Sequence, residues 1–257
     1  MDNNNIRFRL DWSKSEDEIW NEMFEHLDEQ RYKKGFLSQI PVWGYAASLL
    51  IPVLLFCNLY TVTSETARGE YSTVSLPDHS TVTMNAESKV SYKPLTWFVS
   101  RKVQLQGEAF FEVNPGRSFC VYSGQKRVKV LGTTFNVYVR EGMYHVTCLS
   151  GRVEVQAGTN TTVLRPNMQA IINEPKFSIN SNIAPSSITG WMNGMFVFAK
   201  TPLSEVIAEV ERRYDIAVTP DYNPNRLYSG SFPKTDNPED VLDIIGKALN
   251  ITFIIKQ

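Results

Sequence analysis

Ile40-Pro-Val-Trp-Gly-Tyr-Ala-Ala-Ser-Leu-Leu-Ile-Pro-Val-Leu-Leu-Phe-Cys-Asn-Leu-Tyr60 contains no charged residue, and it lies between Lys33-Lys34 and Glu65. A helix needs about 20 mostly apolar residues to cross ~30 Å of hydrocarbon, so one transmembrane helix is expected over residues 38–60. Arg31, Lys33 and Lys34 at its amino end put residues 1–34 in the cytoplasm and the rest outside. Trp43 and Tyr45 near one end, and Tyr60 at the other, fit interfacial aromatic belts. Pro52 is tolerable in such a span because neighbouring groups satisfy the freed carbonyl. A buried core helix rarely runs this far uncharged. A cleaved signal peptide would begin with a short basic segment, not with 34 patterned residues. Phe56 stands where a lipoprotein cleavage box needs a small residue, so Cys57 reads as a membrane-buried thiol. The expected layout is a short inner tail, one span and a large outer part.

At 257 residues and 42% hydrophobic content, the outer part has room for two modest domains. The formal net charge is −1, and no cluster of Lys and Arg is dense enough for direct nucleic-acid binding. His26, His79 and His145 are far apart, and none stands at metal-ligand spacing from a Cys or another His. There is no nucleophile elbow, phosphate-cradling Gly loop or HExxH motif, so neither catalysis nor a cofactor is indicated. An oxidising compartment would permit a Cys120–Cys148 disulfide, and two free thiols buried in separate strands fit the same sequence.

The inner tail is patterned. Ile6, Phe8 and Leu10 alternate with Arg7 and Arg9. Ser15-x-x-Glu18 is a capping box that opens a helix. Ile19, Trp20, Met23, Phe24 and Leu27 then form one apolar stripe, opposite Glu16, Asp17, Glu22, Glu25 and Glu29. A segment this short cannot bury that stripe against itself. Its polar face is acidic, unlike the basic face of interfacial helices, so a groove on a protein partner is favoured.

Beyond the span, short β-rich runs alternate with turn residues. Thr73–Leu76 and Thr81–Asn85 read as a hairpin across Pro77-Asp78-His79-Ser80. Further strands are expected at Lys102–Gln106, Ala109–Val113, Ser118–Tyr122, Arg127–Leu131, Thr134–Arg140, Tyr144–Leu149, Arg152–Gln156, Thr161–Leu164 and Gln169–Asn173. The spacing predicts a mainly β domain over residues 68–173, an antiparallel sandwich or rolled sheet. Residues 174–190, rich in Pro, Ser and Asn, read as a linker. Residues 191–257 read as a small α+β module in the order βαββαβ, with helices at Leu203–Tyr214 and after Asn237-Pro238.

Three segments carry a resemblance. Arg101-Lys-Val-Gln-Leu-Gln-Gly-Glu-Ala-Phe-Phe-Glu-Val113, Val130-Leu-Gly-Thr-Thr-Phe-Asn-Val137 and Leu149-Ser-Gly-Arg-Val-Glu-Val155 resemble the FecR family of membrane-spanning anti-sigma regulators. Trp191-x-Asn-Gly-x-Phe196, Thr201-Pro-Leu and Gly230-Ser-Phe are similar to the module that often follows the FecR domain. The element order there also resembles the short N-terminal domain of secretins and TonB-dependent transducers. The resemblance implies a single-pass inner-membrane protein, N-terminus cytoplasmic and C-terminus periplasmic. It would relay the state of an outer-membrane TonB-dependent transducer, through that transporter's N-terminal signalling domain, to a cytoplasmic extracytoplasmic-function sigma factor. Trp12 and Trp20 are then candidate sigma-factor-binding residues, beside Ile19, Met23, Phe24 and Leu27 of the stripe. Some members split themselves at a Gly-Thr bond through the Thr hydroxyl, which directs attention to Gly132-Thr133; a glycine needed for a bulge, followed by an ordinary strand threonine, explains the same pair. Two departures are visible: the tail is shorter than in the best-known members, and His79 stands where a turn Gly is usual, requiring positive φ at a histidine.

Two other functions fit the layout. A membrane-anchored protein that grips glycan or cell wall would have no use for the Ile19–Leu27 stripe. A tethered hydrolase could line a sugar site with Trp97-Phe98, although β cores use aromatics for packing throughout.

Overall fold

The computed structural model describes residues 14–18, 21, 42–140, 142–173, 176–219 and 221–256. The chain divides into two compact units, Met1–Leu55 and Phe56–Gln257. In the first, Ser15 caps a helical turn: its amide and hydroxyl both donate to Glu18 Oε2, at 3.1 and 3.2 Å. The Glu18-to-amide bond is one half of the expected capping box; in place of the other half, Glu18 N donates to Ser15 O at 3.1 Å. Helix α1 (Val42–Leu59) runs 18 residues and includes Pro52, about 27 Å at 1.5 Å per residue. Among the described residues no helix is long and apolar enough to cross a membrane; positions 38–41 of the expected span lie outside them.

The second unit begins with thirteen strands in one continuous sheet. They are β1 (Val62–Thr66), β2 (Ser72–Ser75), β3 (Thr81–Met84), β4 (Ser88–Tyr92), β5 (Arg101–Glu112), β6 (Phe119–Ser123), β7 (Lys126–Val130), β8 (Thr134–Arg140), β9 (Met143–Ser150), β10 (Val153–Ala157), β11 (Asn160–Leu164), β12 (Met168–Asn173) and β13 (Lys176–Asn180). The architecture is mainly β and curled, as expected, and β5 explains the curl. Its first half pairs with β4 and β6, its second half with β3 and β8. One strand therefore runs through both halves of the curled sheet. The change falls at Gly107, whose φ is +88°, a value that is costly for any other residue. A Cβ there would stand 2.5 Å from Ser88 Oγ and 2.7 Å from Ser88 Cα.

Two expectations are corrected here. The sequence predicts two strands, 102–106 and 109–113, with a break at Gly107, but Gly107 is a bend within a single strand. The sheet was expected to be antiparallel, yet β6 runs parallel to the start of β5, with Arg101 opposite Phe119. Only residues 113–118 connect the two strands, far too few to span a straight twelve-residue strand. The bend brings the far end of β5 back, so that Arg101 Nη1 donates to Asn114 O at 3.2 Å.

The core lies inside the curl. Val103, Leu105, Ala109 and Phe111 of β5 point into it with Phe119, Val121, Phe135, Val137 and Tyr144. Phe111 and Phe135 sit opposite each other and stack at 4.9 Å. Each buried side chain of this size contributes about 1.5–3 kcal/mol. Cys120 and Cys148 are free and buried, and burial pushes the Cys148 thiol up to about 11. Trp97 is buried against Tyr92 and Phe119, at 5.6 and 5.8 Å, so it cannot line a sugar site. His79 adopts φ +62°, and Ser80 N donates to Asp78 Oδ1 in that turn.

The expected linker holds β13, paired with β12, and a short helix α2 (Pro185–Thr189). Then come β14 (Met195–Pro202), α3 (Leu203–Tyr214), β15 (Leu227–Pro233) and α4 (Pro238–Leu249). Both helices fall where expected, and Asn237 Oδ1 accepts from Glu239 N to cap α4. The βαββαβ order is only partly realised. β14 and β15 form a two-stranded antiparallel sheet, whereas the second and fourth strands of that order, at residues 216–219 and 251–255, reduce to one bridge, Val218 to Ile255. The first of these segments has the helix cap Asp215 directly before it and Pro220 directly after it, which leaves it too short for a ladder.

Candidate functional site

The outer face of the β domain carries two cross-strand rows. One is Phe110–Asn136–Thr147–Gln169 and the other Glu108–Tyr138–His145–Ile171. Gln169 Nε2 donates to Thr147 Oγ1 at 2.9 Å, and Tyr138 stacks on His145 at 5.4 Å. All of these except Phe110 floor a cleft of about 590 Å³ whose other wall is β14 with Glu205, Glu209 and Arg213 of α3.

At one end of the cleft the two parts are tied by buried polar groups. Glu108 is buried. Its Oε2 accepts from Asn85 Nδ2 at 2.8 Å and its Oε1 from Asn136 Nδ2 at 2.9 Å. Asn85 Nδ2 also reaches Glu209 Oε1 at 3.4 Å, so one amide bridges a β-domain acid and a helix acid. Glu209 Oε2 accepts from Arg212 Nη2 at 3.1 Å. Arg140 clasps the Asn85–Ser88 turn, donating to Glu87 O at 3.0 Å and Ala86 O at 2.5 Å. Gly69 N donates to Arg212 O at 2.7 Å, holding the last turn of α3 to the β domain.

Why α3 presents these groups follows from its sequence. Leu203, Val206, Ile207 and Val210 form the buried stripe against β14 and β15. Glu209, Arg212 and Arg213 then emerge along the flank that meets the β domain. Arg213 is held by a 2.6 Å bond to Met195 O, and its guanidinium lies 3.9 Å from the Phe196 ring centroid.

The electrostatics follow from burial. Burial, and then the neighbouring Glu209, pushes the Glu108 carboxyl above the usual carboxylate range, against the pull of its two amide donors and Arg140. Burial lowers Arg140 and Arg213 and raises Tyr138. It also brings His145 down to about 4, so this ring faces the cleft neutral at pH 7. Asn136 Oδ1 and Trp191 Nε1 line the cleft as a buried acceptor and a buried donor with no hydrogen-bond partner. Among the described residues no group of three or more His, Cys, Asp or Glu could hold a metal ion.

Trp12, Ile19, Trp20, Met23, Phe24 and Leu27 all lie outside the described residues. Gly132 and Thr133 are described. A Cβ on Gly132 would stand 2.7 Å from Pro115 Cα, so close approach of the 113–118 loop demands glycine there. Thr133 is buried, its carbonyl accepts from Val113 N at 2.9 Å, and its hydroxyl has no partner. The Glu108 cluster was not anticipated. The available signal was the run Gly107–Phe111, where strand alternation stops and every residue is buried with a Glu among them. That pattern means both faces of the strand are covered.

A curled β domain and a small α+β module share a cleft and are joined by buried polar groups. The family model described as FecR protein matches residues 62–154, and that described as FecR, C-terminal matches residues 195–257. The chain belongs to the FecR family. Two solved structures, at 1.65 and 2.50 Å, of a candidate anti-sigma factor from Parabacteroides distasonis ATCC 8503 are each 28% identical to it, with a TM-score of 0.70. The matches cover 76% and 77% of this chain and 99% of each solved chain. No curated protein matches this chain.

Proposed function

We propose that this chain is a single-pass inner-membrane anti-sigma factor. It relays the state of an outer-membrane TonB-dependent transducer to an extracytoplasmic-function sigma factor. The observation that carries the reading is the presence of both FecR modules in one chain, similar over 76% of its length to a candidate anti-sigma factor. The domain assignment goes with it: a cytoplasmic tail over 1–34, the span over 38–60 and periplasmic modules beyond.

The helix supports a membrane setting. Leu50, Val53, Leu54, Leu55, Phe56 and Leu59 are all more than half exposed, and at 100° per residue they cover every side of α1. A helix apolar all round is stable in lipid or in a protein core, not in water. On the outer side, the transducer's signalling domain would engage the cleft, where Asn136 Oδ1 and Trp191 Nε1 await partners. On the inner side, the Ile19–Leu27 stripe would hold the sigma factor.

The test is capture from native cells on residues 1–34, wild type beside Trp20→Ala/Phe24→Ala. Capture of a sigma factor by the wild-type tail, lost in the double variant, is the expected result. If no sigma factor is captured from cells that express one, the tail is an anchor, and the cleft's ligand becomes the question.

A further inference from the structure

One end of the β domain is unlike the other. The strand ends Val62 and Tyr92, then Arg101, Phe119 and Val130, then Val153 and Leu164, pair within each group and fall on one rim of the sheet, where Tyr92 stands opposite Val103, two residues in from Arg101. Above this rim stands the loop 93–100. Trp97 anchors it in the core, and Leu95, Phe98 and Val99 project outward at 48%, 82% and 85% exposure. Arg117 Nη1 donates to Phe98 O at 3.0 Å and Gly116 N donates to Leu131 O at 2.8 Å. Those two bonds gather the neighbouring loops, including exposed Leu131, onto the same surface.

Lys93, Lys102, Arg117, Arg152 and Arg165 are exposed, each within two residues of a strand end on this rim. The nearby acids are engaged: Asp78 by Arg101 at 2.7 Å and Glu112 by Thr81 at 3.0 Å. At the opposite end of the same strands, the turns are Gly124-Gln125 and Gly158-Thr159, small and uncharged. Phe and Val side by side at such exposure are unusual on a protein surface that faces only water. An apolar tip within a ring of cations is the composition that binds an anionic lipid surface.

The position of this rim selects that occupant. Val62 opposes Tyr92, the residue just before the loop, and only Thr61 separates Val62 from Tyr60. If the proposed span ends at Tyr60, the chain itself tethers this end of the sheet within about 10 Å of the bilayer. We propose that the loop 93–100 and its cationic surround dock on an anionic phospholipid surface, with Leu95, Phe98 and Val99 among the headgroups. The docking fixes which end of the β domain faces the membrane and leaves the cleft available to a partner. This inference rests on the proposed span.

The test uses the full chain with Cys57→Ser, purified and reconstituted in phosphatidylcholine vesicles with and without phosphatidylglycerol. An environment-sensitive probe is placed at Val99→Cys or, as control, at Thr159→Cys, and lipid-borne bromine serves as quencher. Alkaline extraction reads the span separately. The expected result is a protein that resists extraction, with residue 99 quenched, residue 159 not, and the quenching reduced by high salt. Lys93→Gln/Lys102→Gln should shift the docked population about 30-fold toward the undocked state. A protein that resists extraction but shows equal probes at 99 and 159 keeps the span and overturns the docking. A protein released by alkali has lost the span; co-sedimentation with anionic vesicles then upholds the docking, and its absence overturns it. Protection of residue 99 in cells without quenching in purified vesicles assigns the patch to a protein partner and overturns the lipid reading.

Discussion

The β domain and the C-terminal module differ in how far along the chain their partners lie. In the module, α3 and α4 are each set by their own sequence: a proline at or beside the start, a capping asparagine before α4, an apolar stripe, and a residue in left-handed conformation (Asp215, Asn250) at the end. In the β domain, β5 pairs with β3, β4, β6 and β8, and its path depends on one glycine that must fit against Ser88. Local order tolerates a lost side chain by loosening one element. Non-local order concentrates the consequences at the residues where the two halves of the sheet meet.

The sharpest way to break this contrast is Gly107→Ala. The new Cβ would collide with Ser88 and force a positive φ on alanine, so a loss of about 3–5 kcal/mol is expected. Gly158→Ala, with positive φ but open space around it, should lose only about 1 kcal/mol. Chemical denaturation of the two side by side measures the difference, and equal losses would remove the special status of the bend.

Ile207→Ala comes next, at about 2–4 kcal/mol. Its site is fully packed within the module, so hydrogen exchange should quicken across residues 195–256 while β8 and β9 stay protected. Uniform quickening would mean that the polar junction welds both parts into one cooperative unit.

A smaller effect tests that junction by pH. Folding raises the Glu108 carboxyl above its ordinary 4.5, so the folded state binds this proton more tightly than the unfolded chain. That stability is complete below the unfolded value and is lost as pH rises through the folded one. Glu108→Gln stays neutral at every pH, and Asn136, whose Oδ1 has no partner, can turn its amide to accept from the new NH₂. The variant should therefore gain on wild type progressively as pH rises above the ordinary carboxylate range. Parallel melting curves above that range would show Glu108 to be ionised in the fold.

The smallest expected effect is at Thr133. Its hydroxyl is buried and unpaired, so Thr133→Val should stabilise by about 1 kcal/mol. Full-length wild-type protein should run intact on a denaturing gel, since the Pro115 approach accounts for Gly132. Two fragments, absent in the variant, would instead make that hydroxyl a nucleophile.

The residues legible in the sequence were those whose signal is local. Alternation marked most strands of the sheet, and the stripe from Leu203 to Val210 marked α3 with its boundaries. β1, β4 and β13 passed unread because Thr, Ser, Glu, Lys and Asn dominate them and only their neighbours make them strands. The tail's stripe remains a matter of sequence alone, and its groove belongs to another molecule.

By itself, then, the amino-acid order determined the element types, the uncharged run before residue 60, the capping box at Ser15 and the family resemblance, because propensity, periodicity and spacing act within a few residues. Only the tertiary structure decided that one strand serves both halves of the sheet, that β6 runs parallel to it, and that Glu108 meets Asn136 and, with Glu209, the amide of Asn85. Those outcomes depend on the bend at Gly107 and on which outer face α3 covers. Both are settled by packing between residues that stand far apart in the chain.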